Sequence, residues 1–438
     1  MVNEEVSSLV IELYSNIEDF IKKHDPERKL RFSSDLKVKF NELLNRFKEA
    51  FIDYVLTPEQ LSEAYEWVEV LQASVSDCIK YLGIKGVTFS KELRSFIEDP
   101  RVHLRKKIFI YTHDLVRGKL GLADYMRTAS AAIRTSYRTN LRSTYQSWVL
   151  LEVLSALGKL GGRLIYPEHR YLPLDRSGKQ RVGTIPPNAV VEVKGRGCLS
   201  FFVEAPRPIG WEDTSDLSRA WRLYTALRPD FMVYGGMVLN ILEPDSDPPV
   251  LRPNVIIECK ELEDWYLRSR DIRGPLAKPL TAEEWRAKWI EGLWVGLADA
   301  LGIKKAEVTE VIKERKGLRL KEYQLVTLYK NFYKPDRMYL VSRTRVPEDV
   351  RKYLEGEGIY IVDGVGFNAG KLWELAQDLL KYARQPERTV IELSRETAEL
   401  LNEVLELTGS DRVVDEVIRE ALKLLLSRLR GRQERRTS

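Results

Sequence analysis

The stretch RPNVIIECKE, Arg252–Glu261, decides how the chain is read. Pro253 and Asn254 punctuate the backbone, and Val255, Ile256 and Ile257 then run without a polar break, the pattern of a short buried strand entered through a turn. Side chains at i and i+2 of a strand share a face, so Glu258 and Lys260 point the same way, roughly 6–7 Å apart. Charges at the end of a core strand cost several kcal/mol unless a partner or a metal offsets them. The pair therefore needs a compensating group.

One candidate lies upstream in LRPDFMVYGG, Leu227–Gly236, where Pro229-Asp230 leads into a second apolar strand. Pairing of the two strands would bring Asp230 to Glu258. Two carboxylates and a main-chain carbonyl are the hard oxygen donors that Mg²⁺ or Mn²⁺ accepts. Lys260, on the same face, would position a water and stabilise negative charge developing on a phosphate. A second acid-x-lysine triplet, Glu192-Val193-Lys194, follows Pro173-Leu174-Asp175. Its strand runs into a Gly-rich turn, which suits a half-exposed hairpin better than a site.

The organisation around these motifs predicts a multidomain α and α/β protein. Residues 1–140 carry apolar positions at helical spacing and read as an all-helical region. Residues 141–385 begin with an amphipathic helix that stops at Gly161-Gly162, continue as short strands between Pro- and Gly-containing loops, and turn helical at roughly 281–300, 304–315 and 319–332. The strands RMYLVS and IYIVDGV close this mixed α/β domain. Residues 386–438 form a third unit of one strand, two helices and a basic tail.

Composition narrows the function classes. With 70 Lys+Arg against 65 Asp+Glu the net charge is +5, too small by itself to argue for a nucleic-acid partner, so clustering must carry that argument. The cysteines, Cys78, Cys198 and Cys259, are odd in number and scattered, which fits a cytoplasmic protein and gives no disulfide or zinc spacing. No apolar run is long enough to span a bilayer.

Pro229-Asp230 followed by Glu258-Cys259-Lys260, after a helix containing Glu152 and before an α–β unit, resembles the PD-(D/E)xK nuclease superfamily. The likeness covers roughly residues 141–365 and implies a restriction-endonuclease-like core of helix, three strands, helix and strand. It also implies that Asp230, Glu258 and the Cys259 carbonyl bind the metal, that Lys260 serves the attacking water, and that Glu152 completes the site. In KEYQLVTLYKNF, Gln324 and Tyr329 resemble the Gln…Tyr helix motif of RecB-like members, which lies near substrate. The spacing here is one residue longer, and ordinary helix surface is the competing reading of Gln324.

The segment TVIELSRETAELLNEVLELTG followed by VVDEVIREALKLLL resembles the ribbon-helix-helix repressors, Arc- and CopG-like, over residues 388–427. That family pairs two strands across a dimer and sets them in the DNA major groove. The outward positions would be Arg388, Val390 and Glu392, of which Val390 and Glu392 depart from the polar and basic residues usual there. A lone strand also needs a partner to be stable, so a homodimer through 388–427 follows more safely than base reading. Together these readings lead to a Mg²⁺-dependent endonuclease acting on DNA. The alternative is a DNA-binding regulator whose nuclease-like domain does not cut.

Overall fold

The computed structural model describes residues 2–175, 184–206, 227–243, 246, 248–271, 319–385, 394–408, 417–418 and 421–425. The chain divides into two compact units, Met1–Pro386 and Glu387–Ser438. The first is a mixed α/β structure built on a seven-stranded sheet.

Helices α1 (Val2–His24), α2 (Ser34–Val55) and α3 (Pro58–Leu82) open the chain. The start of α3 shows why it forms where it does. The Thr57 side chain accepts the Gln60 N–H while Gln60 accepts the Thr57 N–H, with proline in the first turn, and Gly83 ends the helix in the left-handed region at φ +73°. The short helices α4 (Lys91–Glu98), α5 (Pro100–Lys107) and α6 (Phe109–Val116) follow. Next comes α7 (Leu122–Lys159), a continuous helix of 38 residues that passes through position 140 without a break. Its first half buries one stripe: Tyr125, Ala129, Ile133, Tyr137 and Leu141. From Thr144 to Leu157 almost every side chain is buried, because here α7 lies between α3 and the sheet. Gly158 permits the closest contact, since a Cβ there would stand 2.6 Å from the Tyr81 carbonyl oxygen.

The region before Asn140 is not wholly helical. Gly86–Phe89 forms strand β1, which pairs in parallel with β3 (Tyr171–Leu174). Its partner lies more than eighty positions away, so local helical spacing gave no sign of it.

The main sheet contains β2 (Gly162–Tyr166), β4 (Ala189–Val193), β5 (Gly197–Val203), β6 (Phe231–Gly235), β7 (Val255–Lys260), β10 (Arg337–Ser342) and β11 (Tyr360–Val362), in the order β11-β10-β7-β6-β5-β4-β2. Strands β2, β4, β5, β6 and β7 run antiparallel to their neighbours, whereas β7, β10 and β11 are parallel. Alternation along the strands creates two cores. Phe231, Val233, Val255, Ile257 and Cys259 join the helical layer, whereas Met232, Tyr234 and Ile256 pack on the other face with α8 (Glu322–Tyr333) and α9 (Glu348–Gly356). Residues 319–321 are not part of α8: they form β9 (Arg319–Lys321), which pairs with β8 (Ser269–Asp271). Helix α10 (Trp373–Leu379) packs on α7. The helices expected at 281–300 and 304–315 lie outside the described residues.

The rival triplet at Glu192 belongs to the β4–β5 hairpin, which turns through Gly195 at φ +77°. Glu192 sits opposite Arg163 of β2 and accepts a 2.6 Å hydrogen bond from its Nε. In the second unit, α11 (Arg395–Thr408) begins at Ser394, whose hydroxyl accepts the Thr397 N–H. The expected strand with Arg388, Val390 and Glu392, and the turn at Gly409, lie outside the described residues.

Candidate functional site

The register of β6 against β7 sets Phe231 opposite Ile257, so one step further along the edge Asp230 stands opposite Glu258. Both are buried at the sheet end where β7 finishes and β6 begins. The contacts are direct. Asp230 Oδ2 accepts the Cys259 N–H at 2.7 Å, and the Asp230 N–H donates to Glu258 Oε2 at 3.1 Å. An extended residue sends its N–H and C=O to the same side, so the Cys259 carbonyl shares this edge with the two carboxylates. The Cys259 side chain faces the opposite way, into the core under α7, where burial pushes its thiol well above the ordinary range.

Lys260 shares the Glu258 face, as expected, and bridges two acids. Its Nζ donates to Glu258 Oε1 at 3.1 Å and to Glu322 Oε2 at 2.8 Å. Burial works against its charge, but Glu258, Glu322 and Asp230 outweigh that and hold its pKa above the ordinary lysine value. The side chain is therefore an ammonium at neutral pH, a fixed positive charge rather than a base. Asp230 shows the reverse balance: burial first, then the Glu258 carboxylate, raise its pKa well above the usual carboxylate range, against the pull of Lys260 and the Cys259 N–H.

These side chains line one cavity of about 580 Å³. Arg138, Arg142, Arg228 and Arg268 stand around it, with Tyr329 of α8 in its wall. The lining thus combines five acids, Glu204, Asp230, Glu258, Glu261 and Glu322, with these arginines, of which Arg268 is paired with Asp264.

Helix α7 contributes differently from what the resemblance implies. Glu152 does not reach the cavity. It is buried against α3, where Ser74 Oγ donates to its Oε1 at 2.5 Å, and burial raises its pKa. The group that α7 does present is Gln146, whose Nε2 donates to Asp230 Oδ1 at 2.6 Å. Six residues at 100° each separate Gln146 and Glu152, so they leave the helix on different sides. Both are polar residues in one apolar stretch, and only the docking of α7 on the sheet decides which meets Asp230.

Glu322 was likewise not anticipated, because an acid in the first turn of a helix ordinarily means no more than dipole compensation. Of the Gln…Tyr pair, Tyr329 lines the cavity. Gln324 is used locally: its Oε1 accepts the Lys321 N–H at 2.9 Å, at the start of α8.

Among the described residues no group of three or more His, Cys, Asp or Glu side chains is arranged to hold a metal. The donors present are two carboxylates and one carbonyl, with the charge of Asp230 disfavoured as it stands. That set fits Mg²⁺, which binds through one or two carboxylates and keeps several waters. Comparison of the chain with protein-family models, with curated proteins and with solved structures finds no match.

Proposed function

We propose that the chain is a Mg²⁺-dependent endonuclease that hydrolyses phosphodiester bonds of DNA. The observation that carries the reading is the convergence of buried Asp230, Glu258 and Lys260 in one cavity that arginines also line. Two adjacent buried acids repel each other, a cost that a bound divalent cation would offset. Asp230, Glu258 and the Cys259 carbonyl would hold the ion. Bound there, the ion lowers the pKa of a coordinated water and neutralises phosphate charge.

The residues divide the remaining work. Gln146 holds the Asp230 carboxylate in place through its 2.6 Å bond. The Lys260 ammonium, kept charged by its acids, offers a fixed donor to the negative charge that grows on the phosphate oxygens. Glu322 anchors that ammonium through a 2.8 Å hydrogen bond. Arg138 and Arg228, exposed at the rim, draw a polyanion to the mouth.

In this reading the enzyme is a dimer paired through its C-terminal unit in the manner of the ribbon-helix-helix proteins, with two sites on one DNA. Leu400 and Leu407 of α11 are 63% and 81% exposed, apolar surface that pairing of two copies would cover. The non-cleaving regulator has one specific observation in its favour: Lys260 already occupies Glu258 Oε1, as in a structural ion pair.

A cleavage assay on single-stranded, duplex and branched DNA, with and without Mg²⁺, tests the two. Metal-dependent cutting lost in both Asp230→Ala and Lys260→Ala sustains the nuclease. DNA binding without cutting under every condition overturns it in favour of the regulator.

A further inference from the structure

A second cavity, of about 510 Å³, adjoins the first, and the two share Thr139, Arg142, Gln146 and Glu204 in their walls. Its remaining lining is of another character. Leu93, Leu150, Leu174, Val203 and Phe231 supply apolar surface, Ser143 and Ser147 of α7 with Ser90 at the start of α4 supply hydrogen-bonding groups, and Lys91 and Glu92 of α4 add one charge of each sign. A volume within the about 300–1,000 Å³ of small-ligand pockets, with apolar surface from five side chains and polar groups around it, suits a flat heteroaromatic ring with donors and acceptors on its edge. Arg142 stands where the cavities meet, and its Nε is buried with no hydrogen-bond partner among the described residues. Arg142 lines both cavities, so its positive charge is placed to meet a phosphate lying between them.

Resting on the nuclease reading of the first cavity, we propose that the second is a nucleobase pocket. It takes the base next to the phosphate attacked at Asp230 and Glu258, with Arg142 gripping the backbone between them. A base stacked in a duplex cannot enter without being turned out, which costs a few kcal/mol. The substrate is therefore a strand unpaired at that nucleotide: single-stranded DNA, a flap or a loop.

The test is calorimetric binding of the 5′-phosphorylated thymidine dinucleotide to the full chain in EDTA, beside cleavage kinetics on a single-stranded oligonucleotide. Ser147→Trp and Ser143→Leu each fill the second cavity from α7, and neither residue lines the first; Thr135→Trp, on the exposed surface of the same helix and in neither cavity, is the control for added bulk. The expected result is a Kd raised at least tenfold by either filling variant and left within twofold by Thr135→Trp, with KM in the filling variants rising in parallel and kcat within about threefold. Binding that persists in Asp230→Asn and falls in the filling variants sustains the pocket even if no cleavage is found, which would refute the nuclease alone. Dinucleotide binding that is absent, that survives both filling variants, or that a duplex competes for as well as a single strand overturns the pocket.

Discussion

Asp230→Asn separates a residue kept for its chemistry from one kept for the fold. Both hydrogen bonds to the side chain can be retained: the amide oxygen accepts the Cys259 N–H, and the amide nitrogen meets Gln146 once that side chain turns its oxygen inward. What is lost is charge assistance, about 1 kcal/mol for each of the two bonds. What is gained is relief from burying a carboxylate beside Glu258. The raised pKa of Asp230 says that this relief is the larger of the two.

The metal-free variant should thus be more stable than the native chain at pH 7, by about 1–2 kcal/mol. The sign follows from linkage. A carboxyl whose folded pKa lies above its unfolded value of about 3.9 costs nothing below that pH, and its cost grows as pH rises toward the folded value. The advantage of the variant should accordingly vanish near pH 4. Thermal unfolding in EDTA measures it, at roughly 2–4 °C per kcal/mol or somewhat less for a chain of this size. Adding Mg²⁺ should reverse the order, because the native chain gains about 2.7 kcal/mol at a hundredfold excess over Kd and the variant gains little. A variant that is less stable in EDTA at pH 7, with an unchanged response to Mg²⁺, would refute the argument.

Other substitutions probe the neighbouring residues. Lys260→Met leaves Glu258 and Glu322 buried without their common cation and should destabilise the fold by about 3–5 kcal/mol in urea unfolding, with cleavage abolished. Glu152→Gln should keep Mg²⁺-dependent cleavage within about twofold of native in the same assay, since Glu152 meets Ser74 and not the cavity; a hundredfold loss would restore it to the site. His103 is buried beside Ser136, and burial, which outweighs the nearby Glu92, lowers its pKa. Its contribution to stability is full above the unfolded value of about 6.5 and is lost as pH falls from there through the folded pKa. Native urea midpoints should fall over that window more steeply than those of His103→Gln.

The parts of the site that were legible in the sequence are those governed by strand periodicity. Glu258 and Lys260 share a face because a strand repeats every two residues, and Asp230 meets Glu258 because it immediately precedes β6 at the end of the sheet where β7 is finishing. The contributions from helices were not legible. Gln146 and Glu152 carry equivalent local signals, and only the docking of α7 between α3 and the sheet distinguishes them. Glu322 reads as an ordinary helix-start acid until Lys260 is placed beside it. The parallel pairing of β1 with β3 escaped for a related reason: Val87, Thr88 and Phe89 hint at extended backbone, but their partner is set by tertiary structure alone.

The continuity of α7 governs how this molecule can be taken apart. At 1.5 Å per residue its 38 residues make a rod about 57 Å long, which begins among the N-terminal helices and ends at the sheet. A cut near residue 140 would leave Arg138 and Thr139 on one fragment and Arg142 and Gln146 on the other, dividing the walls of both cavities. The first 140 residues are therefore not an interchangeable cassette that recombination or engineering can trade for another. The seam near Pro386 divides the chain differently: a different C-terminal unit joined there leaves every described residue that lines the Asp230 cavity on one fragment.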